Sequence, residues 1–148
     1  MKKIILLAFL LLGTIAYSQS KHFNTKKGYA AHGYDVVAYF DGSATLGNKD
    51  IGTTFQGIDY KFSTKENLER FNTDPAAYVP QYGGYCAYAI AVSGKKVNVN
   101  PETYEIRDGK LYLFYNAGKT NTLDLWLKES PETLQLTADK NWKKIAGK

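Results

Sequence analysis

The chain has one cysteine, Cys86, and two histidines, His22 and His32, among its 148 residues. A lone cysteine excludes a disulfide within the chain, so a packed core must hold the fold. A zinc or copper site built on thiolates needs two to four soft ligands at short spacing, and this composition supplies one thiol. There is no serine-centred nucleophile elbow, no phosphate-binding glycine loop and no His-Glu-x-x-His segment. Glu102, Glu105 and Asp108 are close in sequence, but successive strand residues face opposite sides, so they imply no carboxylate pair. No basic run is dense enough to track phosphates, which argues against nucleic acid as a partner. Repeats and low-complexity segments are absent too.

What is present begins with a leader. Lys2-Lys3 form a charged start, Ile4 to Leu12 an apolar run, and Ala16-Tyr17-Ser18 a cleavage site before Gln19. This pattern reads as a secretory signal peptide over residues 1–18. The apolar run is too short to span a bilayer, so no stable membrane insertion is expected after cleavage. The protein is therefore read as exported, periplasmic or secreted. Removing 18 of 148 residues leaves 130, and losing Lys2 and Lys3 takes the formal charge from +5 to +3. That is one domain, large enough to bury a core without metal or disulfide support. In an oxidising compartment an unpaired Cys86 is a buried thiol, a ligand, a nucleophile or an intermolecular partner.

Residues 19–31 are polar and contain glycine, and read as a flexible lead-in to a domain over residues 32–148. Val36 to Phe40, ending at Asp41-Gly42, is a strand or a single buried turn. Thr53–Gln56 and Ile58–Phe62 flank Gly57 as a hairpin. Ser63-Thr64-Lys65-Glu66 matches a capping box and predicts a helix begun by Ser63, with Leu68 and Phe71 on its apolar stripe. Asp74-Pro75 predicts a second short helix that Pro80 ends. Tyr85 to Val92 is apolar almost throughout, and its alanines tilt it toward helix. Asp108-Gly109, between Tyr104–Arg107 and Leu111–Tyr115, is the strongest hairpin signal. Thr122 to Lys128 and Pro131 to Ile145 read as closing helices, anchored by Trp126 and Trp142. The predicted class is α+β: a small antiparallel sheet with hairpins, covered by short helices.

The chemistry-bearing residues gather in two motifs. Gln81 to Ala89 holds the only cysteine, three of the twelve tyrosines and a Gly-Gly break. Glycines there permit positive φ or a close approach to the backbone. His32 directly precedes Gly33-Tyr34-Asp35. Should the two motifs pack together, an imidazole and a thiol would meet. Such a pair could generate a thiolate nucleophile, or hold copper or zinc with further ligands. Tyr34, Tyr39, Tyr82, Tyr85 and Tyr88 are either the wall of an aromatic pocket or a tyrosine-rich core. Asp35 suits a structural role as an acceptor for nearby backbone amides.

Gly33-Tyr34-Asp35-Val36-Val37-Ala38-Tyr39-Phe40 resembles the opening motif of secreted proteins carrying the YHS domain. Tyr60-Lys61-Phe62-Ser63 with Glu66-Asn67, Asp74-Pro75 with Tyr78, Pro80 to Ala91, and Asp108 to Leu113 with Tyr115-Asn116 continue the likeness. It covers about residues 28–145, with Val36 where the family commonly has proline. The wider group is similar to the cysteine-rich TRASH module, and that resemblance implies heavy-metal binding through thiolates. Its cysteine positions fall on Ala38, Ser63 and the neighbourhood of Asn67, none of which is cysteine in this chain. The likeness therefore implies the scaffold without that site.

The leading expectation is an exported, non-enzymatic domain that binds a small molecule or a metal ion between the Gly33–Phe40 and Tyr82–Tyr88 motifs. Its candidate ligand-binding residues are Tyr34, Asp35, Tyr82, Tyr85 and Cys86, and His32 with Cys86 would hold copper or zinc. The alternatives are a cysteine-dependent enzyme with His32 as base, and a structural or partner-binding module.

Overall fold

Local turn chemistry sets the two main hairpins. The computed structural model describes residues 21–147; the leader read over residues 1–18 lies outside them. Phe55 pairs with Ile58 and Arg107 with Lys110, leaving Gln56-Gly57 and Asp108-Gly109 as two-residue loops. Both positions of each loop are left-handed, with φ of 51° and 78° in the first and 51° and 70° in the second. This is the type I′ geometry whose twist matches that of the flanking strands. The hairpins are β3 (Asn48–Phe55) with β4 (Ile58–Phe62), and β5 (Asn100–Arg107) with β6 (Lys110–Phe114).

The expected flexible lead-in contains two strands. Thr25–Lys26 (β1) turns through Lys27-Gly28 into Tyr29–Ala30 (β2). β2 then pairs with β4 in parallel at Tyr29 and Asp59, giving one sheet of order β1-β2-β4-β3. The alternation of the strand explains the pairing: Ile58, Tyr60 and Phe62 of β4 are buried while Asp59 faces out. A short third hairpin joins β7 (Asn116–Ala117) to β8 (Thr120–Asn121).

Four helices among the described residues cover these sheets: α1 (Lys65–Thr73), α2 (Ala87–Ser93), α3 (Thr122–Glu129) and α4 (Pro131–Ala146). The architecture is α+β. The segment left between strand and turn, Val36 to Phe40, ends in a 3-10 turn over Ala38–Asp41. The apolar Tyr85–Val92 run is helical from Ala87.

β6 divides the core. Every residue from Leu111 to Phe114 is buried. Leu111 and Leu113 join Val36, Tyr39, Tyr60, Phe62 and Phe71 in one cluster. Tyr112 and Phe114 face the other way, toward Tyr82, Ile90, Trp126 and Ala138. A strand covered on both faces reads as an unbroken apolar run, as here. Phe71 docks α1 on the first cluster, with its ring centroid 4.7 Å from Tyr60 and 5.1 Å from Phe62. Burying such a ring stabilises the fold by about 1.5–3 kcal/mol.

Asp35 ties the first cluster together. Its side chain is fully buried. Oδ1 accepts from the Val37 and Ala38 amides at 2.9 and 3.2 Å. Oδ2 accepts from the Ser63 amide, the Ser63 hydroxyl and Asn67 Nδ2 at 2.8, 2.7 and 2.8 Å. The expected capping box is thereby displaced by one residue. Ser63 serves Asp35, and Thr64 caps α1 by accepting from the Asn67 amide.

Replacing Asp35 by Ala strands four donors, since the Ala38 amide keeps the residue 35 carbonyl at 3.2 Å, so urea denaturation should show a loss of about 3 kcal/mol or more. Tyr60 gives the opposite test, because its buried hydroxyl has no partner among the described residues. Tyr60→Phe removes an unsatisfied group and should leave stability unchanged or raise it, within about 1 kcal/mol.

Candidate functional site

Two segments among the described residues run through three consecutive left-handed residues. Ala31, His32 and Gly33 have φ of 47°, 55° and 86°, and Tyr82, Gly83 and Gly84 have φ of 56°, 60° and 78°. Three of the six are not glycine, and each such residue costs about 1 kcal/mol or more. Gly83 could not be another residue: a β-carbon there would overlap the His22 carbonyl oxygen. These are the two motifs that the sequence marks for chemistry.

Asn24 joins them. Its amide donates to the Gly83 carbonyl at 2.8 Å, and its Nδ2 donates to the Gly84 carbonyl at 3.1 Å and to Asn98 Oδ1 at 3.0 Å. Its Oδ1 faces His32 Nε2 at 3.5 Å. Asn24 is buried, so the space expected to form one pocket between the motifs is occupied by the start of the domain. Each motif opens instead on its own recess. Residues 22 and 23 border one, and residues 25 and 26 border the other.

The larger recess is a groove of about 770 Å³, with Phe23, Tyr82, Gly83, Asp139, Trp142 and Lys143 in its lining. The Tyr82 hydroxyl donates to Asp139 Oδ1 at 2.7 Å. Burial, and then the adjacent carboxylate, push the Tyr82 phenol far above its ordinary pKa, so it stays a neutral donor. Trp142 stands at the centre of an aromatic group, with ring centroids 6.1 Å from Tyr82, 6.2 Å from His22 and 6.4 Å from Tyr85. The smaller recess, of about 430 Å³, is lined by Lys26, His32 and three asparagines together with Thr25, Val99 and Pro101.

The other candidates are scattered. Tyr34 is half-buried against the first core cluster, with its hydroxyl 3.5 Å from Glu102 Oε1 at the surface. Asp35 is enclosed and saturated by its five donors, so it cannot meet a ligand. Tyr85 is half-buried, with Lys96 Nζ 5.6 Å from its ring centre. Cys86 is fully buried in the first core cluster. Its amide donates to the Val97 carbonyl at 2.9 Å, and its sulfur lies 3.2 Å from Thr122 Oγ1. His32 and Cys86 share no hydrogen bond: the imidazole faces Asn24 and the thiol faces Thr122. Among the described residues, no group of three or more His, Cys, Asp or Glu side chains is gathered as a metal site would require.

The positions where the YHS likeness would place thiolates do converge. The Ala38 amide, Ser63 and Asn67 all donate to one carboxylate, that of Asp35. These groups are hydrogen-bond donors around an anion, the reverse of a cation site. Comparisons with protein-family models, with curated proteins and with solved structures found no match to this chain.

Sequence reasoning missed Asn24, Asn98 and Asp139, and read Trp142 only as a helix anchor. Lys27-Gly28 between two short extended segments was the one local sign that the lead-in folds.

Two measurements follow. Cys86 should resist an alkylating reagent in native protein and react at the rate of a free thiol once urea unfolds the chain. Fast labelling of the native state would overturn its enclosure. Burial, and then the Lys26 charge, lower the His32 pKa below 6.5. The folded state therefore disfavours the imidazolium, and stability should fall as pH drops from about 7 through that depressed value. His32→Asn, which tolerates the left-handed backbone, should flatten that part of the urea-midpoint profile.

Proposed function

We propose that this protein is an exported, non-enzymatic binding domain of the YHS kind that holds a small organic ligand in the Tyr82–Trp142 groove. The carrying observation is the wall of that groove. Three successive left-handed residues, Tyr82 to Gly84, are clamped by the backbone of residues 22–24 beside an aromatic cluster. Local strain persists only where the surroundings over-determine it, and it concentrates at ligand sites. A volume of about 770 Å³ falls within the range of small-molecule pockets. Aromatic faces supply area for a planar ligand, and the Tyr82–Asp139 pair supplies orientation. Lys110 and Lys143 also line the groove, and the one carboxylate in the lining among the described residues, Asp139, is already engaged by Tyr82. The preferred ligand is therefore a flat molecule carrying negative charge.

A cysteine-dependent enzyme is disfavoured, because the Cys86 thiol is enclosed and has no imidazole beside it. Copper or zinc held by His32 and Cys86 is disfavoured by the same geometry.

Anilinonaphthalene sulfonate, a planar aromatic anion, serves as the probe. Native protein should enhance its fluorescence with one-site saturation. Trp142→Ala, with unchanged far-UV circular dichroism, should weaken binding by about tenfold or more. No saturable binding by the wild type, or equal binding by the variant, would defeat this assignment.

A further inference from the structure

The smaller recess has a lining of consistent chemistry. Asn98 Oδ1 accepts from the Val99 amide at 2.9 Å and from Asn24 Nδ2 at 3.0 Å. Asn100 Oδ1 accepts from the Glu102 amide at 3.0 Å. A backbone N–H can only donate, so these contacts settle which end of each side-chain amide is oxygen. The oxygens are turned to the protein; Asn100 Nδ2 has no partner among the described residues, and the Asn98 side chain lies against His32. Asn116 is arranged differently, with its Nδ2 spent on Thr103 Oγ1 at 3.1 Å. Lys26 adds a cation that makes no ion pair among the described residues. His32 completes the wall, fixed in a left-handed backbone next to left-handed Ala31. Among the described residues no carboxylate lines the recess.

We propose that this recess binds a small oxyanion, the phosphate or carboxylate group of a small molecule, through Lys26, the Asn98 and Asn100 amides and the His32 imidazole. Free N–H donors around a lysine suit an acceptor-rich anion and offer nothing to a metal cation. The pocket volume, about 430 Å³, accommodates the anion with a short organic body. Binding should also couple to protonation. The charged side chains on the strands packed against the His32 turn are Lys26 on β1 and Lys61 and Asp59 on β4. Lys61 Nζ lies 4.0 Å from the Tyr29 ring centre, and Asp59 accepts from Thr54 Oγ1 at 2.6 Å. A bound oxyanion would offset the charge of Lys26 and favour the imidazolium, so affinity should rise as pH falls.

The test is a titration of the protein with inorganic phosphate and, separately, with succinate, followed by amide and imidazole NMR signals. Saturable shifts centred on residues 25–32 and 98–100 are expected with at least one probe, and the better probe shows which oxyanion is preferred. Lys26 is exposed on an edge strand, so Lys26→Gln should fold and should weaken binding by about tenfold. His32→Asn, which removes the imidazole from the wall, should weaken binding and flatten the rise in affinity as pH falls. Shifts scattered over surface lysines without saturation, or undiminished binding by Lys26→Gln, would overturn the proposal.

Discussion

The Asp35 carboxylate is the constraint on which the rest of the fold hangs. Taking a carboxylate out of water costs several kcal/mol, and only a full complement of donors offsets it. Asp35 obtains them from three places: its own turn, the end of β4 and the first turn of α1. Those segments are therefore held in one register. Val36 and Val37, beside it in sequence, are fully buried in consequence. The same demand takes Ser63 from the helix cap and passes that duty to Thr64.

Asn24 plays the matching part on the other side of the domain. It is a neutral, buried side chain whose hydrogen bonds reach the Gly83–Gly84 turn, Asn98 and His32. By filling the space between the two strained turns it separates two recesses of different character. One is aromatic with lysines at its margin, and the other is polar and rich in donors. The strain of the three left-handed residues that are not glycine, Ala31, His32 and Tyr82, is stored around this one side chain. Removing it would free both walls together, because each is anchored through it.

The thiol contributes to packing. Cys86 sits where a small apolar side chain is wanted, just before α2, with Thr122 against its sulfur. On the proposed YHS kinship, three positions that would carry thiolates have been given to the donors of Asp35. A metal centre and a buried carboxylate can each cross-link the turn, the strand end and the helix. Here the carboxylate does so, and the two recesses lie elsewhere, beside Asn24.

Much of the fold was legible because its signals are local. Asp108-Gly109 and the Gly57 turn dictate their hairpins within four residues, and Pro131 and the alternation of Ile58 to Phe62 announce a helix start and a half-buried strand. The sequence alone thus determined the α+β class, most element positions and the two motifs that border the recesses. What it could not decide were the partners of individual side chains. Ser63 meets Asp35 across 28 residues, Asn24 meets Gly84 across 60 and Asn98 across 74. No local preference encodes such meetings. Only the tertiary structure decided that the lead-in is a wall, that Cys86 is enclosed and that His32 faces an asparagine. Each of those outcomes depends on which distant segments the buried polar groups recruit to satisfy their hydrogen bonds.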